Sequence, residues 1–388
     1  MRVVVARGLF SPQSAEEALA LLRLLTAAAE DPMRNAVQTD PPYVPGTNNH
    51  ETDTWLDARP WSESIALRHV LVSGNLLASA TPRVARTLDN AAPPWWHVTE
   101  SYQVVVERRH ESDWTTLRLT LTDAIALVHE PVHLVLENEW NDFAFVTHLA
   151  GPTLGPTLRK LRDAPARLHV HGGGGGSGTH WLEELIQPPT STEKWCKVLR
   201  AWVLFDQDAG ETDAREPSAA AGRMRSLCEQ VQSAFLDRLS WACLRRREIE
   251  SYVPDSGLRS EATRNREALV RHVVNWRTDP ISRPRAWAFD LKKGLRGDLR
   301  SDLSVAERRA IKDKSTPLCA SMLKVPFDSL AEGDIPDLVS GFGDRALCGA
   351  MAGASPPAWT TEIPGEYDRG PAHQAPRHEL IQSLFDRI

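Results

Sequence analysis

Four carboxylates punctuate the middle of the chain: Glu137 in LENEWND, Asp206 and Asp208 in LFDQD, and Glu250 in REIESY. Each follows an apolar run that reads as a buried strand. Carboxylates gathered within a few ångströms repel one another, raise one another's pKa and take up protons unless a cation relieves them. Hard oxygen donors of this kind suit Mg2+ or Mn2+, one ion or two. Each position taken alone has a plain structural explanation, because an aspartate after a strand commonly caps the next helix. The set, in order and at strand ends, points to metal binding by Glu137, Asp206, Asp208 and Glu250.

The elements that must position these groups follow from periodicity. VHLVLE (132–137), ARLHVH (166–171), KVLRAWVLFD (197–206) and ACLRRREIESYV (242–253) read as four strands. Helical segments lie between them, beginning at DFAFVTHLAGPTL, at THWLEELIQ and at AAAGRMRSLCEQVQSAFLDRL (219–239). This alternation predicts an α/β fold, a mostly parallel sheet flanked by helices on both faces. Ligands of such sheets bind beyond the carboxyl ends of the strands, where the acids fall.

The second strand runs into GGGGGSG. Gly173-x-Gly175-x-x-Gly178 satisfies a dinucleotide fingerprint, but consecutive glycines do so trivially, and no strand-end acid follows about 20 residues on. The G-K-[ST] of a phosphate loop is absent. The run reads as a tight turn where backbone passes close to metal or phosphate. His169 and His171 alternate on the preceding strand and share a face, as ligands or as packed, hydrogen-bonded side chains near that turn.

Residues 1–128 read as a separate α+β accessory domain with a helix over 16–30 and a polar, proline-rich loop over 40–55. YQVVVERR (102–109) and TTLRLTLTD (115–123) are expected to form a hairpin across HESDW. Scaffolding, partner binding or positioning of nucleic acid is the expected role. Residues 129–300 form the catalytic unit, and 301–388 a helical extension with a loop-rich tail and a short terminal helix.

The 388 residues carry a formal charge of −6, which excludes a uniformly basic nucleic-acid coat. Residues 283–314 depart from that balance, with ten Lys or Arg against five Asp or Glu. Such a local excess suits a phosphate-facing surface, although AERRAIKDK at its end reads as a solvated helix. Five cysteines without a C-x-x-C pair argue against a disulfide framework and a zinc site, and favour a reducing cytosol. No apolar run suits a signal peptide or a membrane span, so a cytoplasmic protein without membrane association is expected. There is no G-x-S-x-G, and no cysteine has a histidine nearby in sequence, so serine or cysteine nucleophiles are poorly supported.

The order glutamate, glycine-rich turn, D-x-D, then LRRREIESYVP and FDLKKGL resembles the Toprim domain of topoisomerases, bacterial primases and OLD-family (overcoming lysogenization defect) nucleases. The likeness is to the OLD-like branch in particular, including stand-alone anti-phage defence nucleases, and covers roughly residues 130–300. It implies a Toprim-like sheet with the family's first glutamate at Glu137, its D-x-D at Asp206 and Asp208, and its later metal-associated glutamate at Glu250. Its basic residue falls on Lys292 or Lys293. The usual first motif is E-G-x-x-D; here Asn138 replaces the glycine and Asp142 comes one residue late. Either Asp142 reaches the metal through a bulged turn or Asn141 takes its place.

The resemblance implies a Mg2+- or Mn2+-dependent endonuclease acting on DNA or RNA in anti-phage or mobile-element defence. Arg247, Lys292, Lys293 and Arg296 would contact nucleic acid, Arg247 alternatively pairing with Glu250. Two other readings stay open: nucleotidyl or phosphoryl transfer at the same site, and a catalytically silent subunit that binds or senses. With no Walker A motif, sensing is expected from residues 1–125 or from a separate ATPase or sensor protein. A homo-oligomer is compatible with all of these.

Overall fold

Val3, Val4 and Val5 are stiff at χ1 and favour extended backbone; they form the buried centre of β1 (Arg2–Ala6). The computed structural model describes the chain apart from residues 31–35, 46, 48–49, 81–95, 98–102, 165, 173–176, 207–217, 245–248, 261–265, 355–383 and 385–388. Beyond β1 the described strands are β2 (Ala36–Asp40), β3 (Trp96–His97), β4 (Gln103–Val106), β5 (Arg118–Leu119), β6 (Val132–Leu136), β7 (Leu168–His171), β8 (Ala201–Phe205) and β9 (Ser240–Cys243). They make two sheets, ordered β2-β1-β4-β5 and β3-β9-β8-β6-β7.

Every pair in the first sheet is parallel. Helix α1 (Ala15–Glu30) joins β1 to β2, and α2 (His50–Asp57) and α3 (Trp61–Ala80) lie between β2 and β4. The N-terminal region is therefore α/β in character, where the sequence suggested α+β. The expected hairpin is overturned as well: β4 and β5 run parallel, Val105 facing Arg118 and Val106 facing Leu119. Local hydrogen bonds explain the difference. Asp113 turns the chain by accepting from the Thr115 and Thr116 N–H groups. Thr120 then caps α4 (Leu121–His129) by accepting from the Asp123 N–H, so TLTD starts a helix instead of prolonging a strand. The polar segment expected over 40–55 likewise gives way to α2 at His50.

In the second sheet β9, β8, β6 and β7 are parallel, as the alternation predicted. An antiparallel strand, β3, joins β9 at the edge and comes from the N-terminal region. Helices α5 (Glu139–Leu149) and α6 (Gly151–Arg162) connect β6 to β7; α7 (Ser177–Ile186) and α8 (Thr192–Leu199) connect β7 to β8; α9 (Ala219–Ala234) connects β8 to β9. Strands β6 and β8 are buried at every residue, the pattern of central strands covered on both faces. Leu134, Leu136, Trp202 and Leu204 pack with Phe143, Phe145 and Leu158 on one face. Val135, Val203 and Phe205 pack with Trp181, Leu182, Cys228 and Val231 on the other.

Two expected strands are shorter than their apolar runs. Residues 197–199 belong to α8, whose N-terminus Ser191 caps through the Lys194 N–H and whose Trp195, Cys196, Val198 and Leu199 are buried at helical spacing. Strand β9 stops at Cys243, and the chain re-forms as a 3-10 turn at Ile249–Tyr252. Helices α10 (Asp255–Ser260), α11 (Glu267–Thr278), α12 (Arg283–Ala288), α13 (Val305–Lys312), α14 (Ile335–Leu338) and α15 (Asp344–Gly353) complete the described chain. Val273, Phe289, Phe327, Phe342 and Met351 join the cluster that covers β6 and β8, so one core extends across residue 300. Helix α13 is a solvated helix with a Ser304–Glu307 capping box and Ile311 as its buried residue. No described helix is long and apolar enough to cross a membrane.

Candidate functional site

Sheet order fixes where a ligand can enter. From β6 the chain crosses to β7 on one side, and from β8 it crosses to β9 on the other, so the connections diverge between β6 and β8. Such a divergence leaves a crevice at the carboxyl ends of the two strands. Leu136 and Leu204 are the last paired residues of β6 with β8. Glu137 follows one strand directly, and Asp206 the other. The Asp206 backbone N–H donates to Glu137 Oε2 at 3.3 Å. Glu137 is exposed and Asp206 is 7% exposed, so the Glu137 carboxylate reaches the backbone at the end of β8, where Asp206 is buried.

The start of α5 holds the backbone behind Glu137. Asn138 is its N-cap, with Oδ1 accepting from the Trp140 and Asn141 N–H groups at 3.1 Å each. Asp142 reaches back, its Oδ2 accepting from the Asn138 N–H at 2.8 Å. The arrangement is reciprocal, but it reaches back from the fourth helical residue, where a capping box uses the third. Asp142 is 3% exposed and Asn141 4%. The segment ENEWND thus has a structural use: Asn138 caps α5 and Asp142 holds the Asn138 backbone N–H.

At Gly172, the turn after β7 passes close to the start of α5. An ideal Cβ on Gly172 would lie 2.7 Å from Glu139 Cβ, 2.8 Å from its Cα and 2.9 Å from its N. Only glycine lets the backbone pass there. Arg162 pins the same helix end, its guanidinium 4.4 Å from the Trp140 ring centre and 3.1 Å from Glu139 Oε1. Gly173, Gly175 and the rest of 173–176 lie outside the described residues.

Among the other predicted site residues, Asp208 and Arg247 lie outside the described residues. Glu250 lies in the 3-10 turn, its side chain outside what is described, so the expected strand end at this position is replaced by a turn. Lys292, Lys293 and Arg296 share a compact turn built around Asp290, which is fully buried. The Lys293 N–H donates to Asp290 Oδ1 at 2.7 Å, and the Lys293 ammonium lies 3.6 Å from Oδ2 with its side chain 71% exposed. Lys292 and Arg296 are half-buried. Gly294 turns this chain at φ +69°. Phe289, Leu291 and Leu295 anchor the turn in the cluster that covers β6 and β8.

A second group of polar side chains lies on the α7 face of the sheet. His133 Nδ1 is 2.8 Å from His171 Nε2, and His133 Nε2 is 2.8 Å from Glu130 Oε1. Burial pushes the His171 pKa down to about 4 and lowers that of His133, so both rings are neutral near neutrality. Sequence reasoning picked out His169 and His171 but missed His133 and Glu130. The signal was a histidine inside the apolar run VHLVL, which gains meaning only once β6 and β7 are in register. No family model, curated protein or solved structure matches the chain.

Proposed function

We propose that the chain is a Mg2+- or Mn2+-dependent endonuclease of Toprim type that hydrolyses phosphodiester bonds of DNA or RNA, in defence against phage or mobile elements. The observation that carries this reading is the meeting of Glu137 and Asp206 at the point where the sheet connections diverge. The donor set fits the ion: carboxylate oxygens at a crevice mouth are what a hard divalent cation takes. Glu137, Asp206, Asp208 and Glu250 would hold it, with Asp142 fixing the helix behind Glu137. A bound ion of this class activates water and neutralises charge on the scissile phosphate.

The chain's own residues supply the rest. Lys292 or Lys293 would offset charge that develops on the phosphate, on a turn held stiff by Asp290. Arg247 and Arg296 would hold the nucleic-acid backbone. A separate ATPase or sensor protein, and self-association, belong to the same proposal.

One observation favours a second reading, a catalytically silent subunit that binds or senses. Asn138 Oδ1 and Asp142 Oδ2 are engaged with backbone N–H groups at the start of α5. Cleavage of plasmid DNA, single-stranded DNA and tRNA with Mg2+ or Mn2+ by wild type and Asp206→Ala separates the two. Products from wild type alone support the nuclease. Equal silence, with Mn2+ binding absent from both proteins, supports the silent subunit. Products carrying added nucleotides would instead indicate nucleotidyl transfer.

A further inference from the structure

We infer that His133, His169 and His171 form a site for one divalent transition-metal ion of the Zn2+ class, separate from the carboxylates at the crevice, with Glu130 orienting His133. Pairing of β6 with β7 sets His133 opposite His169 and Val135 opposite His171. Side chains alternate along a strand, so all three imidazoles project from one face. One nitrogen from each lies within 4.8 Å of the others. By a rise of about 3.3 Å per residue, His133 stands roughly 13 Å along β6 from Glu137.

The hydrogen bonds already set the tautomer a metal needs. A histidine ligand commonly donates its other N–H to a carboxylate, which fixes the ring and raises its basicity. Here Glu130 Oε1 takes the His133 Nε2–H, which leaves the Nδ1 lone pair aimed at His171 Nε2. Without metal, His171 Nε2–H donates to that lone pair. On binding, the His171 proton moves from Nε2 to Nδ1 through solvent, both facing nitrogens become ligands, and no net proton is lost. Metal–nitrogen bonds of about 2.0–2.1 Å around a tetrahedral ion place two ligands roughly 3.3 Å apart, a small widening from the 2.8 Å observed.

Three imidazoles without a carboxylate in the inner set suit Zn2+, Co2+ or Ni2+ better than Mg2+. A cysteine pattern, on which a zinc site was argued against from sequence, carries no information about a histidine site. Strand β7 is the sheet edge and His169 is exposed, so the ion has an entry route and water a fourth position. The Trp181 ring closes the inner side, its centre 5.2 Å from that of His133 and 4.8 Å from that of His171. Lys197 bears a nearby charge that opposes a cation, but its ammonium is held by Glu193 at 2.5 Å.

The test is titration of metal-stripped, full-length protein with Co2+, followed by its visible d–d bands, and then displacement by Zn2+. One Co2+ per chain with the strong d–d bands of tetrahedral nitrogen ligation is expected, its affinity more than about 100-fold weaker in His169→Asn and His171→Asn and about 10–100-fold weaker in Glu130→Gln. Asp206→Asn should leave those bands and their affinity unchanged. His169 is exposed, so its variant keeps the fold, and circular dichroism checks this. No d–d spectrum, or equal affinity in His169→Asn and wild type, overturns the site and leaves a hydrogen-bonded relay. Loss of binding in Asp206→Asn with retention in His169→Asn also overturns it, by moving the ion to the crevice.

Discussion

Glu137 and Asp206, separated by 69 positions in the chain, are joined by a hydrogen bond from the Asp206 backbone N–H to the Glu137 carboxylate at 3.3 Å. The contact sits at the ends of two central strands and keeps two acidic residues together at a crevice. Outer-shell partners of a metal ligand are worth about 10–100-fold, so loss of a ligand itself is expected to cost more than ~100-fold. Glu137→Gln and Asp206→Asn should each lower single-turnover cleavage by that amount, with thermal unfolding close to wild type. Chelation by EDTA should abolish cleavage in wild type, and Mn2+ should restore it. Persistent cleavage in either variant would remove these carboxylates from the mechanism.

Asp142 separates positioning from ligation. Its carboxylate accepts the Asn138 N–H at the start of α5, so Asp142→Ala takes away the acceptor that holds the N-cap backbone. Leaving that N–H without its acceptor costs about 1–3 kcal/mol, which urea denaturation at constant m-value would read directly. Cleavage at saturating Mg2+ should fall less in this variant than in Glu137→Gln. An equal fall, with unchanged stability, would make Asp142 a ligand.

Gly172 gives a backbone test of the same region. A methyl group there meets Glu139 within 2.7–2.9 Å, including the backbone N and Cα, so helix or turn must shift. Misplacement of a site by about 1 Å can cost ~100-fold in rate. Gly172→Ala should therefore lower cleavage at least tenfold while the far-ultraviolet spectrum stays native. Full activity would show that the start of α5 does not set the site.

The legible part of this protein was its period, and the illegible part its partners. VHLVL and AWVLF announced central strands because burial on both faces demands continuous apolar residues. KVL before AWVLF is equally apolar, yet it is helical: Ser191 caps it and its buried side chains recur at helical spacing. Local sequence does not say which neighbour an apolar side chain will find. The same holds for TLTD, which reads as strand until the Thr120 hydroxyl takes the Asp123 N–H. Glu137 and Asp206 were legible because strand ends in a parallel sheet share one edge. His133 was not, because its meaning lies in the β6–β7 register, which no local pattern encodes.

The first sheet offers a pH test independent of the site. Arg108, just after β4, holds Glu17 of α1 through Nε at 2.7 Å and Nη2 at 3.0 Å. That hydrogen bond is the main reason the Glu17 carboxyl sits below its ordinary 4.5. A carboxylate whose folded pKa is depressed binds its proton more readily in the unfolded chain. Its stabilisation is therefore complete above 4.5 and disappears as pH falls through the lower folded value. Glu17→Gln removes the charge but not the size, and partly exposed pairs of this kind are worth about 0.2–1 kcal/mol. At pH 7 the variant should be less stable than wild type by that amount in urea denaturation, and the gap should close as pH falls below 4.5. A gap that stays constant into acid would show that packing, and not the ion pair, ties α1 to the end of β4.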